Sequence, residues 1–270
     1  MRSLKPGLLG MATALIWCLT GPGSPAYANP DASPTAELSV QASNSCFAHL
    51  LQGLMVCWPK VMKSHEASKG QADLTCDTHF EQALAATRRD FATTPGLWDR
   101  LMNGGAQPTA DELRVYGLNQ ADTLTCAATS VIWRSILRRH HIPSARSVPV
   151  ALRILEHSDT LKPESLYGLA HWTRGTLRSQ TPVAFGGKLP MAQMDFENAR
   201  RFGGEMSGFA AALEARFLCT ALQDEACFEE AASRAQQNTM QGLNSATTDL
   251  ILWVEQRRKL LFLDSPLDAN

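Results

Sequence analysis

Between Asn119 and Pro143 the chain reads NQADTLTCAATSVIWRSILRRHHIP, a stretch that permits little besides a helix. Leu124, Ala127, Ala128, Val131, Ile132 and Ser135 recur at the three- and four-residue intervals of one helical face. Asp122, Thr125, Thr129, Arg134, Arg138 and His141 fall on the opposite face. Asn119 is placed to cap the start, with Asp122 in the acidic position of a capping box. Arg138, Arg139, His140 and His141 put positive charge where the macrodipole favours it, and Pro143 stops the run. A helix of about six turns can cross a small domain. Its apolar stripe is wide enough for two neighbours, so we expect it at the centre of the fold, with Cys126 near its middle.

Helical periods run through the rest of the chain. Ser45–Cys57 is an apolar helix ended by Trp58-Pro59, and Thr78–Phe91 is a second, with Thr78 and Glu81 as its capping box. A short helix follows Thr94-Pro95 and stops at Gly104-Gly105, and Pro108–Tyr116 is capped by Thr109 with Glu112. Ser147-Pro149 opens a helix through His157, and Pro163 opens one to about Thr173. Pro190–Phe202, Glu205–Ala221 and Ala226–Gln237, the last capped by Asp224, precede a final helix from Ser245 or Thr247 to about Phe262. Period-two alternation is missing. Thr181–Phe185 alone resembles a strand, and a strand without a partner reads as a loop. The expectation is an all-α fold, a disulfide-stapled bundle of about nine or ten helices. Residues 44–264 form a single domain, with a possible sub-boundary near 104–108 and a tail at 265–270.

The first 28 residues read as a signal peptide: Arg2 and Lys5, the apolar run Leu8–Leu19, then Ala26-Tyr27-Ala28 as the small-x-small cleavage pattern. That run is about half the length of a membrane span, which predicts no stable membrane anchor. Bulky Trp17 before Cys18 argues against lipid attachment there. Residues 29–43, rich in Pro, Ser and Ala, read as a disordered leader. Export to the periplasm or beyond the cell follows.

Removing 28 of 270 residues leaves 242, with cysteines at 46, 57, 76, 126, 219 and 227. An even number in an exported chain points to a disulfide framework, with 15 possible connectivities for six cysteines. Cys46 and Cys57 lie roughly 16 Å apart on one helix, beyond the roughly 7 Å a bridge tolerates. Cys219 and Cys227 bracket a turn and are natural partners; Cys57–Cys76 and Cys46–Cys126 complete the preferred set. The Cys219/Cys227 pair is similar to the clamped helix hairpins of cysteine-rich helical-repeat proteins.

Without Arg2 and Lys5, 23 basic residues face 26 acidic ones, which predicts no nucleic-acid partner. No His-x-x-x-His or Cys-x-x-Cys spacing suggests a metal, and Phe185-Gly186-Gly187-Lys188 lacks the Ser/Thr helix start of a phosphate loop, so no cofactor is expected.

Two stretches carry resemblances to enzymes. Gln120, then Cys126-Ala127-Ala128 and Leu137, resembles the nucleophile helix of papain-like peptidases, particularly the bacterial type that trims double-glycine leaders. The resemblance implies a thiol hydrolase with Cys126 as nucleophile, Gln120 in the oxyanion hole, His171 as base and Asp195 as its orienter. Ala127 stands where that family usually has Gly, and a free Cys126 would leave an odd cysteine among the rest. Glu164-Ser165 with Tyr167-Gly168-Leu169 resembles lytic transglycosylases and implies cell-wall glycan cleavage by Glu164, although Gly168 follows the Glu more closely than in that family. Against both stands the bland reading, in which Cys126 is a half-cystine and Glu164 an acidic first-turn residue after Pro163. The sequence therefore points first to a non-catalytic exported module that binds another protein or a cell-wall component.

Overall fold

Every described segment of the chain is helical or a connection between helices, and there is no strand among them. The structure, a computed structural model, describes residues 34–64, 74–137, 145–181, 188–237 and 243–256. The signal peptide, the tail and the Thr181–Phe185 run beyond residue 181 lie outside these. The described residues from Leu38 onward belong to one compact unit.

The helices are α1 (Pro34–Ser64), α2 (Leu74–Thr87), α3 (Leu97–Asn103), α4 (Ala110–Leu113), α5 (Ala121–Leu137), α6 (Val148–Leu161), α7 (Ser165–Gln180) and α8 (Leu189–Phe202). They continue with α9 (Ser207–Leu213), a π-helical stretch Glu214–Cys219, α10 (Thr220–Leu222), α11 (Glu225–Ala235) and α12 (Asn244–Gln256). Short 3-10 turns cover Arg88–Thr93, Leu118–Gln120 and Gly204–Met206.

Several boundaries differ from expectation. α1 begins at Pro34, inside the stretch read as a disordered leader, and runs on past Trp58-Pro59. Proline is well suited to a first helical turn, and inside a helix it removes one hydrogen bond without obliging the helix to end. α2 begins at Leu74, ahead of the expected cap at Thr78. α7 continues to Gln180 because Gly175 and Thr176 face a packed neighbour rather than water. Where the cap is purely local the expectation holds. Thr109 Oγ1 accepts from Glu112 N at 3.2 Å while Glu112 accepts from Thr109 N at 2.8 Å. Asp224 Oδ1 likewise accepts from Cys227 N at 2.9 Å.

Helix α5 is the hub, packed against α2, α6 and α7. Its two faces serve two cores. Leu124, Ala127, Ala128, Val131 and Ile132 join Leu97, Ile154 and Leu155 in one, while Cys126 and Trp133 join Leu54, Phe80, Trp172 and Phe209 in the other. Trp133 and Trp172 lie with ring centroids 6.1 Å apart, and Phe209 meets Trp172 edge-on at 5.6 Å. Trp133 Nε1 donates to Thr173 Oγ1 at 3.3 Å, which satisfies a buried indole. α7 and α8 pack closely because Gly175 has no side chain: a Cβ there would stand 2.9 Å from the Phe196 ring.

Candidate functional site

Cys126 is fully buried, and its sulfur is bonded to Cys46. A second bridge joins Cys219 to Cys227. Cys57 is also disulfide-bonded; the side chain of its expected partner, Cys76, lies outside the described residues. A bridged sulfur cannot act as a thiolate, so the nucleophile reading of Cys126 has no support in this fold. Gln120 is also occupied: its side chain accepts a hydrogen bond from Gly117 N at 2.9 Å, closing the turn that starts α5. Asp122, instead of completing a capping box, accepts from Lys162 Nζ at 2.9 Å and Ser165 Oγ at 2.7 Å.

His171 and Asp195 do come close, but through an arginine. Arg174 donates from Nε to Asp195 Oδ1 at 3.0 Å and from an Nη to Asp159 Oδ2 at 2.9 Å. The same Nη lies 3.0 Å from His171 Nδ1. Arginine can only donate, so Nδ1 accepts and the imidazole proton sits on Nε2. Nε2 faces Asp159 Oδ1 at 2.9 Å, a close but poorly aligned contact, since neither atom has a well-formed hydrogen bond. Asp195 also accepts from Arg178, which reaches toward Glu156 at 3.8 Å. The residue that faces His171 is thus Asp159, and Asp195 serves two guanidiniums.

The environment sets the charges. Burial pushes the Asp159 carboxyl up, but the His171 contact and the Arg174 guanidinium outweigh it and hold it below its ordinary range. Burial works against the charge on Arg174 too, yet Asp195 and Asp159 leave it more firmly protonated than usual. Asp195 is lifted by burial against the pull of both arginines. The cluster stitches α6, α7 and α8 together, and its groups are committed to one another. Phe202 stacks on His171 at 5.5 Å.

Glu164 is exposed at the start of α7, ahead of three consecutive left-handed residues, Leu166, Tyr167 and Gly168. The turn carries Tyr167 outward, 5.9 Å from Phe47. It is a costly conformation for Leu and Tyr, about 1–3 kcal/mol each.

A cleft of ≈ 440 Å³ opens between α8, the π stretch and α11. Pro190, Gln193, Met194 and Glu197 form its lip at i, i+3, i+4 and i+7 on α8; Leu218, Cys227 and the Glu214 carboxylate form the floor. Glu214 is buried and paired with Arg200 at 2.5 Å and Arg234 at 3.0 Å. Sequence reasoning missed this cleft and the Arg174 cluster. The spacing of His171, Arg174 and Arg178 on one helical face, with Glu156 and Asp159 one turn apart on the helix before, was the available signal.

Among the described residues no group of three His, Cys, Asp or Glu could hold a metal, and no helix is long and apolar enough to cross a membrane. Residues 74–264 match the family model described as TRAP transporter T-component. No curated protein matches the chain.

Proposed function

Because the chain belongs to the TRAP transporter T-component family, we propose that it works outside the cytoplasm as a non-catalytic component of a TRAP-type transporter, where it holds another protein of the same system. The family match carries the reading. The disulfides fit an oxidising compartment. The bridged Cys126 and the mutually committed His171, Asp159 and Arg174 weigh against a hydrolase.

The α8 lip of the cleft is the proposed docking face. Met194 is 63 % exposed and Met191 37 %, beside Pro190, and flexible thioethers suit a surface that must fit a partner. Glu197 at the lip supplies polar register.

Photo-crosslinking in the native cell envelope, from an unnatural residue at position 193, tests the proposal. Crosslinks to a transporter protein support it. Crosslinks only to peptidoglycan, or only to proteins of unrelated systems, overturn it.

A further inference from the structure

Cys219 and Cys227 are bridged across 8 residues of sequence, whereas Cys46 and Cys126 are bridged across 80. The two bridges differ in access as well as in span. Cys46, Cys57, Cys126 and Cys219 are all buried. Cys227 is the one bridged cysteine among the described residues that is only half-buried. It lines the cleft between α8 and α11, and Asp224, Glu225 and Ala226 just before it are exposed. Its partner Cys219 closes the π-helical stretch and packs with Phe228 and Val254 in a small apolar cluster. One end of this bridge can be approached from the cleft, and the other cannot.

The turn that carries the bridge has restraints of its own. Asp224 N donates to Cys219 O at 3.0 Å, and the Gln223 side-chain amide donates to Thr220 O at 2.8 Å. Gln223 reverses the chain in the left-handed region, with φ 57°. Asp224 then caps α11 by accepting from Cys227 N, and the next residue, Phe228, is fully buried. None of these contacts uses the sulfur–sulfur bond. They hold the two Cα atoms 5.5 Å apart, so the thiols of an opened pair stay within reach of each other. A bridge over so short a loop also restrains the unfolded chain less than one over 80 residues. This pair can therefore open and close in the folded protein.

We propose that Cys219–Cys227 is a site of thiol–disulfide exchange, opened in the folded chain by an exported dithiol protein that attacks the Cys227 sulfur from the cleft. Exchange runs through a mixed disulfide, and access decides which sulfur is attacked. A thiolate of the dithiol bonds to Cys227 Sγ and breaks its bond to Cys219. The electron pair goes to Cys219 Sγ, which takes a proton from water. The second thiolate of the dithiol then attacks its own partner sulfur in the mixed disulfide, and Cys227 leaves as a thiolate. Two electrons have passed to this chain, and the dithiol has become a disulfide. The reverse steps close the bridge again. The proposal does not rest on the transporter reading, and its test uses no transporter protein.

The test uses the full exported chain, folded and oxidised, with dithiothreitol as the dithiol. Samples are quenched with iodoacetamide and the alkylated cysteines are mapped by peptide mass spectrometry. Cys219 and Cys227 should be alkylated while Cys46, Cys57 and Cys126 stay bridged, and Tm should fall by only a few degrees. Replacing dithiothreitol with oxidised glutathione should restore the bridge. Single variants read which sulfur is reached. The free Cys227 of Cys219→Ser should react with dithiodipyridine about tenfold faster than the free Cys219 of Cys227→Ser. Simultaneous opening of every bridge, earlier opening of Cys46–Cys126, or no opening without urea overturns the proposal. So does a Cys219 that reacts as fast as Cys227. Should either variant fail to fold, reduced glutathione is trapped on the wild type: a mixed disulfide at Cys227 supports the proposal, and one at Cys219, or none, overturns it.

Discussion

Cys46 and Cys126 are joined by a disulfide that ties α1 to the middle of α5 across 80 residues of sequence. Both are fully buried in the core that also holds Trp133 and Phe80. Closing a loop of that length is worth about 4 kcal/mol through the entropy of the unfolded chain. Replacing both cysteines by serine should lower stability by about 2–5 kcal/mol, read as a fall in the urea midpoint. In the native wild-type protein Cys126 should resist alkylation until the chain is both reduced and unfolded. Rapid labelling of Cys126 in the native oxidised protein would revive the thiol-hydrolase reading.

The Arg174 cluster predicts an acid-sensitive fold. Asp159 is held below its ordinary range, so the stability it contributes is complete above the unfolded pKa, about 3.9, and is lost as pH falls through the lower folded value. Asp195 is raised and acts in the opposite sense, its contribution declining as pH rises through its folded value. Asp159→Asn should therefore be less stable than wild type at pH 7, and its Tm should fall less between pH 5 and pH 3. Differential scanning calorimetry across that range reads the slopes. A steeper acid decline in Asp159→Asn contradicts the assignment.

Gly175 marks the closest approach of α7 and α8. With a Cβ 2.9 Å from two carbons of the buried Phe196 ring, Gly175→Ala should cost about 1–3 kcal/mol, despite the better helix propensity of alanine. Phe196→Leu in the same chain should recover part of that loss, since it vacates the volume the methyl needs. A double-mutant cycle on urea midpoints measures the coupling, and additive losses would place the strain elsewhere.

Local features of the fold were legible in the sequence and long-range ones were not. Thr109 with Glu112 and Asp224 with Cys227 are caps written within four residues, and both form. Thr78 and Glu81 have the same local pattern, yet Glu81 pairs at 2.6 Å with Arg134, 53 residues away. Asp122 was equally suited to a cap and instead fixes the start of α7 through Ser165. The choice between a local and a distant partner depends on which helices meet, and residue spacing does not encode that. His171 and Asp195 were singled out as a catalytic pair, but their actual roles are set by Arg174, whose two hydrogen-bonding directions bring three helices together. The π stretch left no signal at all, because Glu-Ala-Arg-Phe-Leu-Cys is compatible with an ordinary α-helix.

The α8 lip separates a binding role from a structural one. Met194 is 63 % exposed, so Met194→Glu should change stability by no more than about 0.5 kcal/mol. At a docking face the same change buries a carboxylate beside Glu197 without a counter-charge, and affinity for the partner should fall at least tenfold. Leu252 is 50 % exposed on α12 and does not line this cleft, so Leu252→Glu serves as the matched control and should leave affinity unchanged. Glu214→Gln isolates the floor: it keeps the shape, removes the charge that Arg200 and Arg234 share, and should cost about 1–3 kcal/mol of stability. Surface plasmon resonance against the crosslinked transporter protein, with Tm recorded for each variant, distinguishes the effects. Equal losses of affinity in Met194→Glu and Leu252→Glu would mean that the lip is not where the partner sits.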